Sequence, residues 1–132
     1  MRSVTLRAFA KINLSLCIKD ARPDGFHDVQ TILQAIDLFD RVKISARRGP
    51  FELRCDAPGV PLDRTNLVWK AALHLWQAAG LDGEPRNAVD TLQKNIPMQA
   101  GLGGGSSNAV AALLGLRRVW KLRVPDHEMY AI

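Results

Sequence analysis

Cysteine is scarce in this chain: among 132 residues only Cys17 and Cys55 occur, far apart and without Cys-x-x-Cys spacing. That argues against a disulfide framework or a thiolate metal site and suits a reducing cytosol. Long apolar runs are missing as well. No stretch approaches the ~20 residues of a membrane helix, and the N-terminus has no charged head leading into an apolar segment, so a cytoplasmic protein with no membrane partner is expected. A third absence concerns charge. The formal net charge is +5, yet only Arg47-Arg48 and Arg117-Arg118 are adjacent arginine pairs, so no basic stripe offers itself to a nucleic acid. What remains is a chain that is 47% hydrophobic and one domain in length, able to bury about two-thirds of its unfolded surface. Its positive balance suits a small anionic ligand.

Glycine, by contrast, is concentrated in one place. Ile96-Pro97-Met98-Gln99-Ala100-Gly101-Leu102-Gly103-Gly104-Gly105-Ser106-Ser107-Asn108 carries four glycines in five positions, a composition ill suited to a strand or helix interior, because each glycine removes packing and adds chain entropy. Ser106, Ser107 and Asn108 then read as N-cap residues before the helix formers Ala109 to Leu116. A flexible linker has no amphipathic helix beside it. A helix N-terminus presents unpaired N–H groups and about half a positive charge, and bare backbone lets phosphate oxygens reach them. The hydroxyls of Ser106 and Ser107 are placed to take phosphate or a Mg²⁺ shell. Two other glycine motifs do not fit. A Walker loop ends in Gly-Lys-Ser/Thr, whereas Gly105 runs into Ser106 with no lysine, and a dinucleotide fingerprint needs glycine where Ser106 stands.

Upstream, every even position from Val4 to Ile18 is apolar, while Arg7, Lys11, Asn13, Ser15 and Lys19 are polar. This period of two predicts a strand with one buried face, bent or divided near Ala8–Lys11 because its length exceeds the usual strand. On residue type alone, Lys11 on the outer face is a solvated charge. Arg22-Pro23-Asp24-Gly25-Phe26-His27 is a turn by its Pro-Asp-Gly core. Phe26 beside His27 offers the aromatic face and hydrogen-bonding group that nucleobase recognition needs; His74 and His127 read as ordinary surface residues. Val42–Ala46 and Phe51–Cys55 alternate as strands, expected to be antiparallel because Arg48-Gly49-Pro50 is too short for a parallel crossover. Thr65 or Asn66 caps a helix from Leu67 to Ala79, ended by Gly80, with Val68, Ala71, Ala72, Leu75 and Ala79 buried. Val89–Lys94 is the strand feeding the glycine loop. Val124 to Ile132 begins another helix, cut in its second turn, so the chain is expected to be a piece of a longer protein.

The loop Pro97–Ser107 resembles the second motif of the GHMP small-molecule kinases. Its fuller form, Ile-Pro-x-x-x-Gly-Leu-Gly-Gly-Gly-Ser-Ser-Asn, is similar to that of the branch acting on CDP-methylerythritol in non-mevalonate isoprenoid biosynthesis. Ala10-Lys11-Ile12-Asn13-Leu14 resembles the first motif of the same kinases, and Asp24-Gly25-Phe26-His27 their Asp-Gly-Tyr-His turn, with Phe26 lacking the phenol. The three stand in the family's order. The resemblance implies an α+β fold, that of the GHMP-kinase N-terminal domain (ribosomal protein S5 domain 2-like), filling residues 1–132 as a single truncated domain without the family's C-terminal domain.

It also implies transfer of the γ-phosphoryl group of ATP, with Mg²⁺, to the 2-hydroxyl of 4-diphosphocytidyl-2-C-methyl-D-erythritol. Lys11 is then catalytic, since a fixed cation stabilises charge developing on the attacking oxygen and the transferred group. ATP falls to Pro97, Met98, Gln99, Ala100, Gly101, Leu102, Gly103, Gly104, Gly105, Ser106 and Ser107, together with Lys94 and Asn66, although capping alone equally explains Asn66. The cytidine substrate falls to Asn13, Phe26 and His27, and the metal to Ser106 and Ser107. Gln99 stands where the family mostly has a small residue. The family's base, an aspartate in a Gly-Ala-Asp-x-Pro segment, is not among these residues, so the chain is expected to bind nucleotide and turn over slowly or not at all. A non-catalytic nucleotide-binding module is the alternative, and a nucleic-acid-binding domain the third option; ATP affinity and turnover separate them.

Overall fold

A computed structural model describes residues 2–132. Seven elements follow in order: β1 (Ser3–Ala21), β2 (His27–Pro50), β3 (Glu52–Cys55), α1 (Leu67–Ala78), β4 (Arg86–Gln93), α2 (Gly104–Val119) and α3 (Asp126–Met129). The strands form one sheet in the order β1-β2-β4-β3, which makes the fold the expected α+β. Buried apolar residues of the sheet, among them Val42, Ile44, Leu53, Ala88 and Leu92, join Val68, Ala72 and Leu75 of α1 and Ala112 and Leu116 of α2 in one core. Burial of such side chains is the main stabilising term of a domain this size.

The expected antiparallel relation of the second and third strands is corrected in part. β2 runs antiparallel to β4, and β3 runs parallel to β4 on its far side, so β2 and β3 do run in opposite senses but are not paired with each other. The turn at Arg48-Gly49-Pro50, with Gly49 at φ 112°, lets the chain step past one strand position. The crossover through α1 then brings β4 into that slot, since a β–α–β connection is long enough to return in parallel.

β1 is a single element, with register shifts between Phe9 and Lys11, Asn13 and Ser15, and Ile18 and Ala21. The first falls where sequence length called for a bend. Its alternation buries less than the pattern promised. Ala8 and Ala10 are in the core, whereas Leu14, Leu16 and Ile18 are 60%, 56% and 66% exposed. Beyond Lys11 only β2 pairs with β1, so this half is a two-stranded arm tipped by the Arg22–His27 turn. At that tip Gly25 takes φ 85°, its N–H donates to the Arg22 carbonyl at 2.9 Å, and the Phe26 N–H donates to Asp24 Oδ1 at 3.0 Å.

Helix α1 is capped as predicted: the Asn66 side chain accepts from the Val68 N–H at 2.9 Å. Gly80 follows at φ 77°, its N–H donating to the Gln77 carbonyl. On its buried face Trp76 takes the place expected for Ala79, because the ring stacks edge-on against Trp120 at 5.1 Å between centroids and its Nε1–H donates to the Asp82 carbonyl at 3.0 Å. The expected helix from Val124 amounts to the single turn of α3.

Candidate nucleotide site

The glycine run opens α2 differently from the serine-capped reading. Gly103 is the N-cap, left-handed at φ 70°, and no side chain caps the helix. Gly104 and Gly105 form its first turn and Ser106, Ser107 and Asn108 follow inside it. The first closing bond runs from the Ser107 N–H to the Gly103 carbonyl at 3.0 Å. The amides of Gly104, Gly105 and Ser106 are thus left without an intrahelical acceptor, which is the donor set an anion needs. A serine at the cap would have occupied one of those donors with its own oxygen. Glycine leaves them open.

Two clamps hold the loop that leads there. From the rim, Lys11 on β1 donates its backbone N–H to the Leu102 carbonyl at 2.9 Å and its ammonium to the Gly101 carbonyl at 2.8 Å. A Cβ at Gly103 would lie 3.1 Å from the Lys11 side chain. From below, Asp40 Oδ1 accepts the N–H groups of Asn95 at 2.6 Å and Ile96 at 2.8 Å. Its Oδ2 accepts the Lys94 ammonium at 2.5 Å and the Asn108 amide at 2.9 Å. Burial alone would push the Asp40 carboxyl up; these four donors outweigh it and hold the group below the usual carboxylate range. Between the clamps the chain takes positive φ three times, at Gln99 (55°), Gly101 (72°) and Gly103 (70°). For the glutamine this conformation costs about 1–2 kcal/mol.

Loop and helix start enclose a cavity of about 330 Å³, lined by Pro97 to Ser106, by Lys94 and Asn108, and by Val60, Pro61, Thr65, Asn66 and Leu67. Val60, Pro61 and Leu67 give the lining apolar surface, and the four glycines bring bare backbone to it. The predicted loop residues therefore gather at one place, with Lys94 and Asn66 beside them. Ser107 is half-buried and does not line the cavity. Lys94 spends two of its hydrogens on Asp40 and on Asn108 Oδ1, the latter at 3.0 Å. Asn66 likewise has both ends engaged, Oδ1 in the cap and Nδ2 on the Pro61 carbonyl at 2.9 Å. Phe26 and His27 are not part of this cavity. They sit at the arm's tip, Phe26 71% exposed, with the His27 Nδ1–H donating to the Lys19 carbonyl at 2.9 Å, which leaves Nε2 as the ring's acceptor. Asn13 lies between, exposed on the arm.

Sequence reasoning missed Asp40, Asn95 and Asn108. Asn108 stood in the motif but read as a cap. Asp40 had as its only signal an acid closing the apolar run Leu38-Phe39, and nothing in one dimension tells a buried anchor from a solvated strand end.

Comparison with known proteins agrees with this geometry. The model of the GHMP kinases N terminal domain matches residues 66–132, half of the chain. The 4-diphosphocytidyl-2-C-methyl-D-erythritol kinase of Chlorobium phaeobacteroides (strain BS1) is 40% identical over 132 residues, covering 100% of this chain and 45% of the relative. The enzyme of the same name from Nostoc sp. (strain PCC 7120 / SAG 25.82 / UTEX 2576) is 43% identical over 131 residues, covering 98% and 41%. A crystal structure of 4-(cytidine 5'-diphospho)-2C-methyl-D-erythritol kinase superposes with a TM-score of 0.76 at 33% identity, over 97% of this chain and 45% of that one. Methanococcus jannaschii mevalonate kinase shares the fold, with a TM-score of 0.66 at 14% identity over 98% of this chain and 44% of that one. The chain thus spans less than half the length of these relatives. With the family model matching half of its length, the chain whose glycine loop opens a helix and is gripped by a lysine from the first strand belongs to the GHMP kinases.

Proposed function

We propose that this chain is the nucleotide-binding part of a kinase that transfers the γ-phosphoryl group of ATP to the 2-hydroxyl of 4-diphosphocytidyl-2-C-methyl-D-erythritol. The observation that carries the reading is the set of open amides at Gly104, Gly105 and Ser106, residues that line a cavity together with Val60, Pro61 and Leu67; the relatives, alike over 98–100% of this chain, suggest the substrate. Phosphates rest on the amides, where the helix dipole favours negative charge. The adenine lies against Val60, Pro61 and Leu67. Lys11 exchanges the Gly101 carbonyl for an oxygen of the transferred group or of the acceptor hydroxyl, adding positive charge where negative charge develops. The cytosine belongs at the arm's tip, its face on Phe26 and its amino group donating to His27 Nε2, with Asn13 nearer the reacting end.

Mg²⁺ suits what is present. It takes hard oxygen ligands and keeps several waters, so one hydroxyl beside the phosphates is enough protein for it, and Ser106 on the cavity wall provides that hydroxyl. When bound it would offset the negative charge of the phosphates. A cytoplasmic setting fits a kinase that draws on ATP and a small phosphorylated substrate; among the described residues no helix is long and apolar enough to cross a membrane.

The test is Gly103→Val. The substitution puts a branched side chain into a left-handed position and against Lys11, which displaces both the cap and the cation. Calorimetric titration with MgATP should show affinity at least ten-fold weaker than in the parent chain, with the thermal midpoint confirming a folded variant. Equal affinities would refute the phosphate-loop assignment.

A further inference from the structure

Asp40 is fully buried, in β2 next to its junction with the arm, and no reaction step assigned above uses it. A carboxylate has about four acceptor sites, and here all four are filled by groups from both ends of the glycine loop. Asn95 and Ile96 supply backbone N–H groups at the loop's entry, with Lys94 just before them, and Asn108 supplies its amide from α2 just past the exit. The loop between has little else to fix it. Its backbone turns through three positive-φ residues, and its recorded bonds to the rest of the chain are the two from Lys11. Ile96, 2% exposed, packs so closely under the helix start that a Cβ on Gly104 would meet it at 3.0 Å. The distance between loop entry and helix start therefore depends on the carboxylate that joins them.

We infer that Asp40 is a positioning residue of the nucleotide site: acting through Asn95, Ile96, Lys94 and Asn108, it sets the loop against the first turn of α2 so that the amides of Gly104, Gly105 and Ser106 converge on one anion. Lys94 works inside this clamp, its charge compensated by Asp40. The inference rests on the reading of the cavity as a phosphate site, and it makes a prediction opposite in sign to simple electrostatics. Removing a negative charge from beneath bound phosphates should tighten an anion; removing a clamp should loosen it.

The experiment compares the parent chain with Asp40→Asn and Asn108→Ala, each by MgATP titration and by peptide-resolved hydrogen exchange without nucleotide. Asp40→Asn keeps the shape and loses the charge and two matched acceptor bonds; MgATP affinity should fall about ten-fold or more, the scale of hydrogen bonds to a charged group. In the same unliganded variant, the hydrogen-bonded amides around the loop, those of Asn95, Ile96, Ser107 and Lys11, should exchange at least ten-fold faster while those of α1 keep their protection. Asn108→Ala, which cuts only the tie to α2, should move both readouts in the same direction by less, and it decides the matter if Asp40→Asn does not fold. Tighter MgATP binding in Asp40→Asn, faster exchange spread uniformly over the chain, or unchanged loop exchange would each overturn the clamp. Failure of the parent chain to bind MgATP would count against the phosphate site alone, because the unliganded exchange comparison still reads the clamp.

Discussion

Asp40 and Asp90 are the same side chain, each fully buried in the sheet, with opposite consequences. Asp90 lies in β4 between Ile44 of β2 and Leu53 of β3, both in the core, and neither of its carboxyl oxygens has a hydrogen-bond partner among the described residues. Burial pushes its carboxyl up to about 7, since nothing near it offsets the cost of a charge. A raised folded value means that its stabilising contribution is complete below the ordinary carboxylate range and is lost as pH rises through about 7. The loss amounts to something on the order of 4 kcal/mol. Asp90→Asn removes the titration. Chemical denaturation between pH 5 and 8 should show stability falling with pH in the parent chain and a flatter profile in the variant; parallel profiles would mean that the carboxyl finds a partner in solution. Asp40 has the reverse sign, its lowered value adding stability that acid removes.

Among the elements, α2 carries the site and also sits closest to the sheet. Gly115 is buried at the contact, where a Cβ would come within 2.4 Å of Ile44, 3.1 Å of Leu6 and 3.3 Å of Val4. Its small size therefore sets the depth at which the helix rests, and with it the height of the open amides above β4. Gly115→Ala adds one carbon to a filled space, and overpacking of this kind costs about 1–3 kcal/mol despite the better helix propensity of alanine. Urea unfolding measures it directly. A variant as stable as the parent would mean that α2 rides outward freely, and the displaced amides should then weaken MgATP binding. Legibility at this scale followed local chemistry. Asn66 as a cap, Gly80 as a stop and the turn at Gly25 were readable because each uses contacts within a few residues. The start of α2 was not, because serine's preference for the cap says nothing about a glycine already holding the left-handed conformation one turn earlier.

At the scale of the molecule, the arm is the part least covered. Leu14, Leu16, Ile18, Val29 and Leu33 are each more than half exposed, and the relatives extend over more than twice this length. No carboxylate lines the cavity among the described residues. Phosphoryl transfer from ATP to the cytidine substrate by these 132 residues should accordingly be ~10²–10⁴-fold slower than by a full-length relative such as the Chlorobium enzyme, the usual cost of a missing general base. Turnover matching the relative would refute that, and would require a base on the arm.

The sequence by itself determined what short-range chemistry can determine: an α+β fold, the strand period of β1, the capped helix α1, and a glycine loop at a helix start, each encoded in residues close enough along the chain to act on one another directly. Only the tertiary structure decided which apolar face of β1 is covered, that β4 enters between β2 and β3, and that Asp40 closes the loop from beneath. Those depend on contacts between residues as far apart as Asp40 and Asn108, and a contact at that separation leaves no period, spacing or composition in the chain from which to read it.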